Sequence, residues 1–252
     1  GKLDFSGDIP VNIELMAAVD QPRSLDVAGS TGDDVIILRS AERSESGPLL
    51  SDALATMDRT ALPDKAYGFD GDDLLIGYGT RLVGGSDNDN LIASSGDQTT
   101  QLLGNRGDDV LIGAQNDVLV GGHGSDTLIA RGSGVFMTGG RGQDDFVLFD
   151  SNLAYHAGSR PTTVMDLRVN DRLIVNMSGI HDISGLVLKD VFGSTHIYAK
   201  PVAESDLGAP AMLGVIQGVS KQDLLDHHHI LFNTDIRASA DILSQASFED
   251  HL

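Results

Sequence analysis

The sequence has neither cysteine nor tryptophan, which excludes disulfides, thiolate metal sites and cysteine nucleophiles. No apolar run approaches the roughly 18 residues of a membrane-spanning helix, so no membrane span is expected. Basic residues are scarce: 17 Lys and Arg stand against 37 Asp and Glu, a formal net charge of -20. Nucleic acid and anionic membranes need the opposite sign, so neither is an expected partner and a cation is. Solubility or a halophilic habit would give the same sum, so arrangement has to decide. The start, Gly1-Lys2-Leu3-Asp4-Phe5, lacks an initiator Met and a charged-then-apolar export signal. It reads as a fragment or processed product.

Catalytic motifs are missing as well. There is no HExxH: Ala157-Gly158 follow His156, and Ile230-Leu231 follow His227-His228-His229, so neither offers a helical histidine pair with its Glu. Neither a GxSxG elbow nor a GxxxxGK[ST] phosphate loop occurs. Neighbouring histidines on a strand point to opposite faces, which suits one metal poorly, and the triple histidine reads as a polar loop before a last strand. His123 reads as a solvated turn residue. Carboxylate pairs suited to glycosidase work could be drawn from any acidic chain and carry no weight without geometry. The expectation is a non-catalytic chain.

What is present is a nine-residue pattern. GFDGDDLLI runs from Gly68, GGSDNDNLI from Gly84, GNRGDDVLI from Gly104, GGHGSDTLI from Gly121 and GGRGQDDFV from Gly139, and an earlier copy, GSTGDDVII, starts at Gly29. The sixth position is always Asp: Asp34, Asp73, Asp89, Asp109, Asp126 and Asp144. The eighth is always large and apolar, filled by Ile36, Leu75, Leu91, Leu111, Leu128 and Phe146, as an inward-facing strand position requires. From Gly68 the copies start 16, 20, 17 and 18 residues apart, which predicts stacked coils of two turns and two short strands each. Glycine-aspartate turns in an ordinary sheet would explain the composition but not this register.

Calcium takes six to eight hard oxygen ligands, carboxylates mixed with carbonyls. Glycine at the first, second and fourth positions permits positive φ, which lets successive carbonyls curl towards one point. The sixth-position Asp adds charge. Equivalent turns in neighbouring coils stack about 4.8 Å apart, so a column of carboxylates repels itself until cations enter between turns. Five consecutive turns enclose four gaps, giving up to four Ca²⁺ in this row. At about ten times its Kd each site would contribute roughly 1.4 kcal/mol, and four roughly 6, comparable with a whole domain's stability of about 5 to 15 kcal/mol. Binding is thus expected to be coupled to folding. The opposite row is weaker: in the same register Gln98 replaces one sixth-position Asp, and Asp117 follows a one-residue deletion, so few or no ions are expected there. Within the good row Asp87 replaces the fourth Gly, and Phe69 and Asn105 replace the second.

The flanks divide the chain. Residues 1–67 hold strand-like runs such as Val11 to Leu15, one isolated repeat, and a polar insertion from Arg39 to Tyr67 with a short helix predicted from Asp52 to Ala61 behind a Ser51 cap. Residues 68–150 form the expected calcium-binding roll. Residues 151–233 carry strand-like runs (Thr163 to Leu167, Arg172 to Val175, Leu186 to Leu188, Thr195 to Ala199, Met212 to Ile216) and read as a β cap, needed to cover the last coil's open edge. Residues 234–252 are a tail.

GGHGSDTLI and GGRGQDDFV resemble the nonapeptides of the RTX family, the hemolysin-type calcium-binding repeat proteins exported by type I secretion. Val164 to Ile174, Leu213 to Val219 and Leu231-Phe232 resemble the post-repeat segment of RTX and serralysin C-terminal domains, so the likeness covers about Gly68 to Asn233. It implies an all-β, right-handed parallel β-roll with a C-terminal β cap and Ca²⁺ between turns. Carboxylates would come from Asp73, Asp89, Asp109, Asp126 and Asp144. Carbonyls would come from Gly71, Gly107, Gly124 and Gly142 at the fourth position, with Asp87, and from Gly85, Gly122 and Gly140 at the second. It also implies secretion through the type I machinery and an export signal within Thr234 to Leu252, although the ending Glu249-Asp250-His251-Leu252 departs from the protease branch. Two rival settings stay open: an accessory domain of a secreted hydrolase or polysaccharide epimerase whose catalytic domain precedes Gly1, and a calcium-dependent adhesin or surface-layer segment that binds cell-surface polysaccharide or a surface partner.

Overall fold

The computed structural model describes residues 2–4, 12–16, 26–39, 65–96, 98–149, 160–200, 211–227 and 229–232. Strands follow one another in short pieces: β1 (Lys2–Asp4), β2 (Asn12–Met16), β3 (Asp26–Ala28), β4 (Val35–Arg39), β5 (Lys65–Asp70), β6 (Leu74–Gly77), β7 (Arg81–Ser86) and β8 (Asn90–Ala93). The series continues with β9 (Gln101–Arg106), β10 (Val110–Gly113), β11 (Val118–His123), β12 (Thr127–Ala130), β13 (Phe136–Arg141), β14 (Asp145–Phe149), β15 (Thr162–Val164) and β16 (Arg172–Asn176). Last come β17 (Leu186–Val191), β18 (Ser194–Ala199), β19 (Ala211–Ile216), helix α1 (Lys221–His227) and β20 (His229–Phe232).

Up to β16, successive strands belong alternately to two sheets. The odd-numbered strands, joined by β18, form an eleven-stranded sheet ordered β1-β3-β5-β7-β9-β11-β13-β15-β19-β18-β17, and the other even-numbered ones a nine-stranded sheet ordered β2-β4-β6-β8-β10-β12-β14-β16-β20. Pairing is parallel along both stacks, with Leu91, Leu111 and Leu128 in register on one sheet and Leu102 and Leu119 on the other. Each coil therefore supplies one strand to each sheet, and the chain is an all-β, stacked parallel roll. Among the strands of the described residues only β17, β18 and β19 pair antiparallel, and they finish the eleven-stranded sheet.

The core lies between the sheets. Every eighth-position side chain, from Ile36 to Phe146, is 0% exposed, as are Leu82, Leu102, Leu119 and Met137 from the facing sheet. One large apolar residue per half-coil suffices because the strands above and below repeat it. Leu111→Ala, in mid-stack, should cost about 2 to 5 kcal/mol, measured by urea unfolding at saturating calcium. Ninth-position residues alternate to the other face of the nine-stranded sheet, where Ile76, Ile92, Ile112, Ile129, Val147 and Ile174 form a second apolar row, each no more than 4% exposed.

Two expected boundaries move. The copy at Gly29 is not isolated: β3 pairs with β5 and β4 with β6, so it is one coil of the roll and the insertion after Arg39 leaves the stack in register. The roll also runs past residue 150, because β15 and β16 pair parallel with β13 and β14, and β19 and β20 add a further layer. The cap proper is the β17–β18 hairpin with α1. That helix is marked in the sequence by Ser220, whose Oγ accepts from the Asp223 N–H (3.1 Å) and donates to Asp223 Oδ2 (2.8 Å), a reciprocal N-cap that the strand-only expectation passed over. It seats Leu224, 0% exposed, on the end of the core. The helix expected from Asp52 to Ala61 and the tail from Thr234 lie outside the described residues.

Candidate metal centre

Each sixth-position aspartate is the last residue before an even-numbered strand, so the parallel register stacks them in one column. Their backbones and carboxylates are threaded together. The N–H of Asp34 donates to Asp73 Oδ1 (2.7 Å), Asp73 to Asp89 (3.0 Å), Asp89 to Asp109 (2.9 Å), Asp109 to Asp126 (3.0 Å) and Asp126 to Asp144 (3.0 Å). Asp144 donates in turn to Asp171 Oδ1 (3.0 Å). Asp171 is thus a seventh member, and Asp171-Arg172-Leu173-Ile174 repeats the sixth-to-ninth pattern of Asp, variable, apolar, apolar. The sequence reading missed it because the preceding glycines are gone.

The second carboxylate oxygen behaves differently along the column. Oδ2 of Asp73, Asp89, Asp109, Asp126 and Asp144 is buried with no hydrogen-bond partner. At the ends it is satisfied: Asp34 Oδ2 accepts from the Ser30 N–H, and Asp171 Oδ2 from the Arg168 N–H (2.7 Å). A buried unpaired carboxylate oxygen is costly, and here five recur at one repeat position. Burial raises these carboxyls well above the usual range of about 4, Asp73 to about 7, Asp89 to about 9, Asp126 to about 8, and Asp109 and Asp144 to about 6. Desolvation is the largest cause at each; for the Asp73, Asp89, Asp126 and Asp144 carboxyls, neighbouring aspartates of the column add to it.

The turns aim further oxygens into the gaps. Second- and fourth-position residues hold positive φ: Gly85 (149°), Gly122 (130°) and Gly140 (105°), and Gly71 (111°), Gly107 (122°), Gly124 (133°) and Gly142 (141°). Asp87 (74°), Phe69 (92°) and Asn105 (82°) take the same conformation without being glycine. Carbonyls consequently point along the stack. A Cβ placed on Gly142 would stand 1.7 Å from the Gly124 oxygen, one on Gly124 1.9 Å from that of Gly107, and one on Gly122 2.3 Å from that of Asn105.

First-position glycines serve another need than the one expected. None of Gly68, Gly84, Gly104, Gly121 and Gly139 is in the positive-φ set. Instead a Cβ there would meet the orphan oxygen, 1.9 Å from Asp73 Oδ2 at Gly68 and 2.3 Å from Asp126 Oδ2 at Gly121, where the Gly139 carbonyl oxygen also lies within 2.7 Å. The glycine leaves a cradle in which carboxylate and carbonyl oxygens of successive coils meet. Among the described residues no three acidic or histidine side chains are grouped so that they could hold one metal ion, so an ion here would draw on one column of carboxylates and otherwise on carbonyls. Such an all-oxygen set fits a hard divalent cation.

A second ladder runs on the exposed side at the fifth position, in the opposite sense. The N–H of Asp72 donates back to Asp33 Oδ1 (3.1 Å), Asn88 to Asp72 (2.8 Å), Asp108 to Asn88 (2.8 Å) and Ser125 to Asp108 (2.6 Å). Asp87 Oδ2 also accepts from the Gly71 N–H (3.3 Å). Beyond the last turn Asp166 takes over, accepting from the Gly139 (2.8 Å) and Gly140 (3.1 Å) N–H groups.

On the opposite row the equivalent of the sixth position is Thr100, not Gln98, since Thr100 directly precedes β9 and its N–H donates to Asp117 Oδ1 (2.6 Å). Asp117 Oδ2 accepts from Ala114 (2.8 Å). Both oxygens of Asp117 are engaged, although burial raises it to about 6, and no orphan oxygen calls for a cation. The triple histidine is split: exposed His227 ends α1 and His229 opens β20. His123, expected in a turn, is the exposed last residue of β11.

No family model matches the sequence, and no curated protein does. Among solved structures, the AlgE6R2 subunit of the mannuronan C5-epimerase from Azotobacter vinelandii is similar at 23% identity, over 70% of this chain and 96% of that one, with a TM-score of 0.34.

Proposed function

We propose that this chain is a calcium-binding roll of the RTX type, which folds when Ca²⁺ fills the gaps of the aspartate column and so supports type I secretion and extracellular stability of its parent protein. The supporting observation is the run of five buried, unpartnered Oδ2 atoms in one column, ended on both sides by residues that supply the missing hydrogen bond. Asp73, Asp89, Asp109, Asp126 and Asp144 would hold the ions with carbonyls of the first, second and fourth turn positions. Calcium would supply the positive charge that this desolvated column lacks.

Without it the carboxylates must either protonate or repel, and the stack has few other sources of strength, since each coil touches only its neighbours. At low cytosolic calcium the chain would stay unfolded enough to thread a secretion channel; outside, where modules with Kd near 10⁻⁴ to 10⁻³ M load, it would fold. Among the described residues no helix is long and apolar enough to cross a membrane. Circular dichroism in chelator and in millimolar Ca²⁺ tests the reading: a β signal that appears only with calcium, saturating at about four ions per chain, is expected. A β signal unchanged by calcium would refute it.

A further inference from the structure

We propose that the outer face of the nine-stranded sheet is a docking surface for the chain's own insertion between β4 and β5, with residues 50–61 laid on it as an amphipathic helix. The face is a continuous apolar ladder. From Ile37 through Ile76, Ile92, Ile112 and Ile129 to Leu231, ninth-position side chains pair in register strand after strand. Side chains that stand out from a sheet are flanked by their register neighbours, but their tips face away from it. Ile92, Ile112 and Ile129 are nonetheless 0% exposed, and Thr127 and Asp145, beside the ladder on the same face, are 2% and 0% exposed.

The described apolar residues packed against the ladder are Ile37, Leu74, Val110, Phe149 and Leu231. All belong to strands of the same sheet, so they lie beside the ladder and not over it. Tips shielded so completely need a layer on top, and the chain by itself supplies it. At the ends of the ladder Ile37 and Leu231 are only half-buried, so the layer sits over the middle.

The insertion fits that place by origin, length and pattern. It leaves from the end of β4, a strand of this very sheet, and takes 25 residues to reach Lys65, where the next coil crosses from Gly77 to Arg81 in three. Both its ends are held by the stack, so docking it orders a closed loop, at less entropic cost than a segment tethered at one end. Leu50, Leu54, Met57 and Ala61 recur at i, i+4, i+7 and i+11, with Asp52, Thr56 and Arg59 on the other side of such a helix. Pro48 and Pro63 bracket the stretch, and Ser51 stands ready to cap it.

Chain length also sets its direction. Four steps of extended chain, about 13 Å, join Ala61 to Lys65, whereas the arm from Arg39 to Leu50 can span about 35 Å. Ala61 must therefore stay near the coil of β6, with the helix running from there up the stack. At 1.5 Å per helical residue and about 4.8 Å per strand, Met57 falls over Ile92, Leu54 over Ile112 and Leu50 over Ile129.

The chain has no cysteine, so introduced thiols give a clean test. It needs only a folded roll, checked by circular dichroism in millimolar Ca²⁺, and is thus separable from failure of the calcium reading. Leu54→Cys combined with Ile112→Cys should close a disulfide within the monomer on mild oxidation at low protein concentration, and guanidinium should abolish it. Leu243→Cys with Ile112→Cys, which places the thiol in the C-terminal tail, should not. Met57→Asp should raise the fluorescence of an apolar-surface dye several-fold while the β signal stays. A folded double variant that forms no disulfide, one that joins only different chains, closure from Leu243 instead, or dye binding unchanged by Met57→Asp would each overturn the proposal.

Discussion

Asp126→Asn should stabilise the protein in chelator and destabilise it in calcium. The asparagine Oδ1 keeps the hydrogen bond from the Asp109 N–H, and its Nδ2 takes the place of the orphan Oδ2, beside the Gly139 carbonyl oxygen. A neutral amide therefore completes the site that a carboxylate leaves open when no metal is bound. The native carboxyl is raised to about 8, so keeping it ionised near neutral pH opposes the metal-free fold by an amount on the order of several kcal/mol. With calcium present the balance reverses, because the charge is then what holds ions in the two adjacent gaps. The bound-ion count should fall by one or two, with a loss of about 1.4 to 3 kcal/mol at tenfold saturation. Thermal midpoints of both proteins, taken with sucrose added so that the metal-free fold is populated, give the comparison. A shift of the same sign with and without calcium would mean that the orphan oxygens are not metal ligands.

The pH dependence should likewise invert with calcium. Each carboxyl of the inner column is raised in the folded chain above its unfolded value of 3.8, to between about 6 and about 9. Between about 4 and about 9 the folded state binds more protons than the unfolded one, so the metal-free roll loses stability as pH rises through that window. In chelator, then, β structure should be greatest near pH 4 to 5 and least near pH 9. Protons and calcium compete for the same oxygens, so in millimolar Ca²⁺ apparent affinity should climb over the same window and the loaded roll should be most stable towards its alkaline end. Two circular dichroism series, with and without calcium, should cross. Parallel curves would show that the column does not exchange protons for metal.

The sequence made much of this legible because repetition enforces register. Once Asp recurs at the sixth position and an apolar residue at the eighth, stacking places Asp73 to Asp144 in one column and Leu75 to Phe146 in one core, independent of loop length. Where the pattern thins, legibility fails for local reasons. Asp171 joins the column through pairing of β16 with β14, although no glycine turn precedes it. Thr100 replaces Gln98 because alignment of a degenerate half-coil follows strand register rather than residue type. The first-position glycines are required for space around a carboxylate, which only the folded stack reveals. Gly29's coil is separated from the next by a long insertion, and sequence spacing cannot show that β4 still meets β6.

The ending of the column by Ser30 and by Arg168 has a consequence for how such a molecule can change length. Along the aspartate column every interior coil offers the same Oδ1 and N–H to its neighbours, so removing a unit such as Gly104 to Val120 would rejoin equivalent partners there, while the terminal residues remain to finish whatever number is left. Gain or loss of a unit would alter reach and ion capacity in whole steps, without redesign of the column's ends. The chain is built like a word whose middle letters can be duplicated and still be spelled correctly.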